Sequence, residues 1–202
     1  MAEPTVCIVD DDEAVRDSIA ELMSSVGLRV ATFRSAQEFL DSYDPLLPGC
    51  LVLDVRMAHM SGPALQEKLL AIGAPIPIVF ISGHGDIPVA IGVIRAGAVD
   101  FVQKPYRDQQ LLDSINEALR RDAAARVTLT LQGDFAQRLT TLTVREREVM
   151  ELVVKGMSSK GIAKSLSVSY RTIELHRSHI LDKLDVRSVA ELIHRALQAR
   201  SA

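Results

Sequence analysis

The sequence predicts two domains of different class: a (βα)5 α/β unit with a five-stranded parallel sheet, followed by an all-α unit of four helices. Three observations predict it. Through residues 1–121, short apolar β-branched runs alternate with amphipathic stretches. That order builds a parallel sheet with right-handed crossovers and helices on both faces. From Thr143 onward the apolar spacing is helical throughout. The charge also divides: residues 1–121 carry 17 Asp and Glu against 10 Lys and Arg, net −7, and residues 122–202 carry 9 against 13, net +4. An acidic half joined to a basic half points to different partners, and the basic half is the candidate for a polyanion.

The strands are read at 5–9 (TVCIV), 29–33, 50–53 (CLVL), 76–81 (IPIVFI) and 100–103. TVCIV, CLVL and IPIVFI are apolar almost throughout, as strands covered on both faces must be. Helices fill 13–26, 35–41, 61–71 and 88–96, and a fifth runs from Asp108 to about Ala125. Ser35 and Glu38 have capping-box spacing. Asp86 ahead of Pro88 suits a first helical turn, and Gly27, Gly73 and Gly97 mark stops. Residues 122–140 lose this rhythm. Residues 122–126 extend the fifth helix, and the stretch to Thr140 reads as linker, although Val127, Leu129 and Leu131 give it an apolar side. The expected domains are therefore 1–121 and 141–202. In the second, Thr143 and Glu146 form a capping box opening a helix to about Lys155, stopped by Gly156. A short helix fills 159–166. Ser169 caps a third helix to about Leu184, and Ser188 with Glu191 opens a fourth to about Ala199.

Composition narrows the class. With 48% apolar residues the chain has enough to fill real cores, and 4% aromatics with no Trp makes those cores aliphatic. No apolar run approaches the roughly 18–20 residues of a membrane helix. The acidic start, MAEPTVCIVDDDE, lacks the basic region of a signal peptide. No membrane partner is expected. Cys7 and Cys50 are open to a disulfide or metal reading, but without nearby His there is no zinc spacing, and buried thiols in a reduced cytoplasm are the expectation.

In a parallel α/β sheet, ligands bind outside the carboxyl ends of the strands. Here the first strand ends in Asp10-Asp11-Asp12, the third in Asp54, the fourth in Ser82 and the fifth in Lys104-Pro105. Clustered carboxylates repel and need a cation, and an oxygen-only donor set selects a hard one, Mg2+. An Asp beside such an ion is a competent nucleophile for phosphoryl transfer. Ser82 and Lys104 are placed to hold phosphoryl oxygens. Taken singly, each feature has a plainer reading: an Asp triplet caps a helix, a strand-end Asp makes a turn, and Lys-Pro is a loop.

Residues 5–120 closely resemble the receiver domain of two-component response regulators. The resemblance rests on Asp10-Asp11 after the first strand, Asp54 in LVLDVRM, Ser82 in VFISGHGD and Lys104-Pro105 in DFVQKPY. It implies a flavodoxin-like receiver in which Asp54 accepts the phosphoryl group from a sensor histidine kinase. It implies Mg2+ held by Asp11, Asp54 and the Arg56 backbone carbonyl, with Asp10 acting mainly through water. It also implies Phe101 as the switch aromatic and a cis bond before Pro105. Asp12 is assigned a supporting or capping role. There are departures: Ala58-His59 stands where the family often has Pro-Gly, and Gly92 falls inside the fourth helix, where it serves close packing or leaves the helix pliable.

In the basic half, helix, turn, short helix, turn and longer helix follow in helix-turn-helix order, which places the second helix of the motif in the major groove. A three-helix interaction bundle has the same pattern. On the helix from Ser169, Ile173, Ile180 and Leu184 share one side. Arg171, Glu174, Leu175 and Ser178 fall opposite and are candidates to read bases. Thr172, His176, Arg177, Lys160, Lys164 and Lys183 flank them and are candidates for phosphates. The cations are open to a solvated-face reading, and His176 and His179 to a core or interfacial one. The pieces LTVRERE, KGIAKSL and RTIELHRSHI, with Ser188-Val-Ala-Glu-Leu opening the last helix, closely resemble the LuxR-type DNA-binding domain. That family dimerises through its last helix, which makes Val189, Leu192 and Ile193 candidate contacts. Ser159, where Asn is more usual, and Gly161 are departures. The whole chain resembles a NarL/FixJ-type response regulator, nearer the FixJ side through ISGHGD and VDFVQKPY.

The expectation is a cytoplasmic transcription regulator, not a turnover enzyme, that hydrolyses only its own aspartyl phosphate. Phosphorylation of Asp54 makes a homodimer that binds double-stranded promoter DNA at an inverted repeat. Two alternatives are weighed against it. A haloacid-dehalogenase-like phosphatase would use Asp10 and Asp12 as nucleophile and acid, but it leaves Asp54 without a role. An orphan regulator would keep the fold and dimerise without phosphate.

Overall fold

The computed structural model describes residues 3–74, 76–83 and 87–198, the side chain of Gln132 apart. Two compact units divide at Met1–Arg126 and Val127–Ala202.

The first unit holds β1 (Thr5–Val9), β2 (Arg29–Phe33), β3 (Gly49–Asp54), β4 (Ile78–Ser82) and β5 (Asp100–Gln103), all parallel, in the order β2-β1-β3-β4-β5. Between them run α1 (Glu13–Ser25), α2 (Ala36–Ser42), α3 (Gly62–Ala71) and α4 (Ile87–Arg95), and α5 (Asp108–Leu139) follows β5. Every residue of β3 and β4 is buried, which is why their sequences carry no polar alternation. Side chains of alternating position feed two cores. Val6, Ile8, Cys50, Val52, Val79 and Ile81 meet Ile19 and Met23 of α1 and Leu111 and Ile115 of α5. Val9, Leu51, Leu53 and Phe80 meet Phe39, Leu65, Leu69 and Val93 of α2, α3 and α4. Cys7 belongs to this second side of the sheet and Cys50 to the first, so no disulfide joins them. Burial pushes both thiols up, Cys7 to about 11, which makes them inert packing groups.

The caps follow the sequence with one difference. Asp12 and Ser35 cap α1 and α2. Ser35 Oγ accepts the Glu38 N–H at 3.2 Å, but the Glu38 carboxylate reaches past the cap to the Arg34 N–H at 2.8 Å. Ser188 and Glu191 do the same, with Arg187 as donor at 2.9 Å. Asp86 lies outside the described residues. In α4 only Val93 is buried, while Ile87, Ile91 and Ile94 are exposed. A Cβ at Gly92 would meet nothing within 4 Å, so close packing does not account for that glycine.

The second unit contains the end of α5 with α6 (Val144–Val154), α7 (Ser159–Ser165), α8 (Tyr170–Leu184) and α9 (Val189–Gln198). The stretch read as linker is helix as far as Leu139. Its Val127, Thr128, Thr130 and Gly133 are weak helix formers, which hides it from a local reading. Tertiary burial overrides that preference: Phe135 is 2% exposed, packed in one core with Leu142, Val149, Ile162, Ile173, Ile180, Leu184 and Leu192, with Leu139 against it. Among the described residues no helix is long and apolar enough to cross a membrane.

Candidate functional site

The strand order places β1 between β2 and β3, so the chain reverses direction across the sheet at the β1/β3 boundary. The carboxyl ends of these two strands flank the crevice where such sheets bind ligands. Asp10, directly after β1, and Asp54, the last residue of β3, are 1% and 7% exposed. The ammonium of Lys104, one residue past β5, donates at 2.9 Å to both Asp10 Oδ2 and Asp54 Oδ1. Three residues scattered over the sequence thus meet on one rim.

The backbone fixes each of them. Asp10 Oδ1 accepts the Asp12 N–H at 2.9 Å, and the Asp10 carbonyl accepts from Arg16 at 2.8 Å. Asp54 Oδ2 accepts the Arg56 N–H at 2.7 Å. The Lys104 N–H donates to the Ser82 carbonyl at 2.7 Å, tying the end of β5 to that of β4, where the buried Ser82 follows Ile81, the register partner of Asp54. The Lys104–Pro105 bond is cis. Phe101, on β5, is half-buried against the α2–α3–α4 side.

The electrostatics are those of a crowded anionic site. Burial pushes the Asp54 carboxyl above the usual aspartate range; Lys104 pulls it back, and neighbouring Asp10 pushes it up again. Burial disfavours the Lys104 ammonium, but its hydrogen bonds to Asp10 and Asp54 outweigh that and raise its pKa. Asp11 stands apart. It is exposed, and its Oδ2 accepts the Ala58 N–H at 2.9 Å. Among the described residues no three acidic, histidine or cysteine side chains already converge as a metal cluster. Asp12 is exposed and caps α1, its Oδ1 accepting the Ala14 N–H at 2.9 Å.

Two neighbours escape a sequence reading. Gly62 opens α3 against the end of β3: a Cβ there would lie 2.3 Å from the Asp54 carbonyl oxygen and 2.9 Å from the Phe80 ring. Tyr106 lies close enough to feel both Lys104 and Asp10, and burial raises its phenol pKa. Neither residue type nor spacing points to these two places.

In the second unit, α7 and α8 form the helix-turn-helix pair, with Ser167 in the left-handed region at φ 54° in the turn. Ile173, Ile180 and Leu184 turn inward, and Arg171, Glu174, Leu175 and Ser178 are exposed on α8, as the spacing predicts. Lys160 and Lys164 are exposed on α7, Thr172 and His176 are half-buried, and His179 is exposed, so neither histidine is a core residue. Two of the expected phosphate contacts have partners inside the unit. Arg177 donates to Ser159 Oγ at 2.6 Å, joining α8 to α7 and giving that buried serine its role. Lys183 donates to Glu146 Oε2 at 2.7 Å, completing a network with the Thr143 cap. Glu146 is buried, and Lys183, burial and Thr143 together leave its carboxyl at about 2. Of the expected dimer contacts, Leu192 is 2% exposed inside its own unit's core, which leaves Val189 and Ile193, both half-buried, nearer the surface. A 3–4 spacing on an amphipathic helix identifies a buried face but does not say whether the same chain covers it.

Comparison with known proteins agrees with both halves. Residues 6–116 match the response regulator receiver domain, and residues 140–196 match the bacterial regulatory proteins of the luxR family. The transcriptional regulatory protein TdiR of Thauera aromatica is 43% identical over 197 residues, covering 98% of this chain and 87% of its own. FixJ of Bradyrhizobium diazoefficiens is 40% identical over 194 residues, 96% of this chain and 95% of its own. Among solved structures, the response regulator StyR superposes with a TM-score of 0.82 at 44% identity over 98% of this chain and 100% of its own, and full-length FixJ from B. japonicum with 0.60 at 38% over the whole of both chains. The acid–lysine rim and the helix-turn-helix pair thus have one explanation: the chain belongs to the two-component response regulators that join a receiver domain to a LuxR-type DNA-binding domain.

Proposed function

We propose that this chain is a cytoplasmic transcription regulator switched by phosphorylation of Asp54. The observation that carries the reading is the Lys104 ammonium held 2.9 Å from both Asp10 and Asp54 at the sheet's carboxyl edge. A sensor histidine kinase is the donor. An Asp54 carboxylate oxygen attacks the phosphorus of its phosphohistidine, the P–N bond breaks, and its electron pair returns to the imidazole. Lys104 then follows the charge from the carboxylate to a phosphoryl oxygen, and Ser82 hydrogen-bonds another. Phe101 turns inward behind Ser82. Slow hydrolysis of the aspartyl phosphate resets the switch, which makes this self-limited chemistry and not turnover.

The donor set fits Mg2+. Asp10, Asp11 and Asp54 outnumber the single ammonium of Lys104, and all donors, the Arg56 carbonyl included, are oxygen. When bound, the ion neutralises the phosphoryl oxygens and the attacking carboxylate together. Asp54 and the Arg56 carbonyl would hold it with Asp11, and Asp10 would act through water.

The output is DNA. Arg171, Glu174, Leu175 and Ser178 are the base-reading candidates, with Glu174 suited to a cytosine amino group and Leu175 to a thymine methyl. Lys160, Lys164, Thr172 and His176 hold phosphates, while Arg177 and Lys183 brace the unit. Phosphorylation favours a homodimer through the surface of α4 and β5, where Ile87, Ile91 and Ile94 are exposed, and two α8 helices then meet an inverted repeat. The test is solution mass and promoter binding with and without Mg2+ and beryllofluoride, beside Asp54→Asn. Dimerisation and tighter binding that need Asp54 are expected. A dimer that forms without phosphoryl mimic would favour the orphan reading.

A further inference from the structure

Asp11 is the exposed member of the acid cluster, and its carboxylate is already engaged. Oδ2 accepts the Ala58 N–H at 2.9 Å, a bond between the β1–α1 loop and the loop after β3. That loop is bent to make the donor available. The Met60 N–H donates to the Ala58 carbonyl at 2.8 Å, and between them His59 sits in the left-handed region at φ 66°. A bond from residue i+2 to i around a positive φ is a γ-turn, a strained form for a residue with a side chain. Strain of this kind persists only where surrounding bonds hold it, and the Ala58–Asp11 bond is one of them.

The consequence bears on the cation, and it rests on the reading that this site takes Mg2+. We propose that the Ala58 amide competes with Mg2+ for Asp11. Without the ion, the N–H holds the carboxylate toward the β3–α3 loop. Mg2+ demands near-octahedral oxygen geometry, so Asp11 leaves the amide, and the Ala58 N–H passes to water. Ala58 is thereby a positioning residue that weakens the cation and links the strained turn at His59 to site occupancy. The effect depends on a backbone donor at position 58, which every residue but proline supplies.

Ala58→Pro removes that donor, and it also fixes φ at position 58. Isothermal titration of Mg2+ into the full chain should give a Kd about three- to tenfold tighter in Ala58→Pro than in the native chain, the range that one net hydrogen bond supports. An unchanged or weaker Kd in a variant with native circular dichroism overturns the proposal. Because proline can also disturb the turn, the second measurement is made on the unaltered chain. In amide-resolved NMR, saturating Mg2+ should move the Ala58 amide proton upfield and speed its exchange with water. An Ala58 amide as protected with Mg2+ as without overturns the competition even if the ion binds. Failure of the native chain to bind Mg2+ overturns the magnesium reading itself, and the competition with it.

Discussion

Asp54 occupies a place where its own charge is disfavoured, because burial and Asp10 raise its pKa more than Lys104 lowers it. The raised pKa means that the folded state binds this proton more tightly than the unfolded chain does. Stability therefore gains as pH falls through the raised pKa, and at neutral pH the ionised carboxylate is a liability. Asp54→Asn should keep or raise the first unit's Tm at pH 7, by about 2 °C, the response of such a unit to a fraction of a kcal/mol, while phosphorylation is abolished; a lower Tm in calorimetry would contradict this. Gly62 is the opposite case. Its missing Cβ leaves room for the Asp54 carbonyl and the Phe80 ring, so Gly62→Ala should cost about 1–3 kcal/mol of stability and slow phosphorylation, as read by denaturant unfolding and phosphodonor kinetics. The acids, Ser82 and Lys104 were legible because each ends a strand, and a parallel sheet brings strand ends together. Gly62 and the Ala58 amide were not, because their roles depend on backbone approaches that no residue type announces.

At the scale of elements, α8 does two jobs on two faces, and two residues expected on the outer face, Arg177 and Lys183, serve the inner one. Lys183 and Glu146 are 37 positions apart, so their pairing is invisible to any local pattern. Glu146 is held at about 2, well below the ordinary glutamate value of about 4.3. A depressed carboxyl pKa contributes stability that is complete above the ordinary value and is lost as pH falls toward about 2. The second unit should thus lose stability across that window, and Glu146→Gln should flatten the loss in a pH series of denaturant midpoints. Lys183→Met should cost about 1–2 kcal/mol of stability yet leave the salt slope of DNA binding unchanged. Lys164→Ala, removing an exposed cation, should lower that slope by about 0.9. In α4 the exposed Gly92 has open space around its Cβ position, so Gly92→Ala should stabilise the helix by about 0.5–1 kcal/mol, read by thermal unfolding and amide exchange. Helix α5 shows the limit of local reading from the other side: residues 127–139 look like linker by propensity and are helix because Phe135 is buried.

For the whole molecule, phosphoryl transfer at one unit has meaning only if it changes what the other binds. If, as proposed, a phosphoryl group favours the dimer and an inverted repeat favours it too, the two are coupled through that dimer by a single free energy. The coupling is reciprocal. Whatever factor beryllofluoride adds to operator affinity, operator DNA must add to beryllofluoride affinity, and couplings of this kind commonly amount to about 5–150-fold. The basic second half, net +4, adds salt-sensitive attraction to full operator and half-site alike, so charge by itself does not couple DNA to the phosphoryl site. An inverted repeat should therefore tighten beryllofluoride binding by the same factor measured in the other direction. A single half-site should not, because one α8 helix on one half-site gives no preference for the dimer. Titration of beryllofluoride with Mg2+ present, with full operator, half-site and no DNA, measures all three arms. Equal affinities in all three would mean that the units act independently and that Asp54 is not the switch for DNA binding.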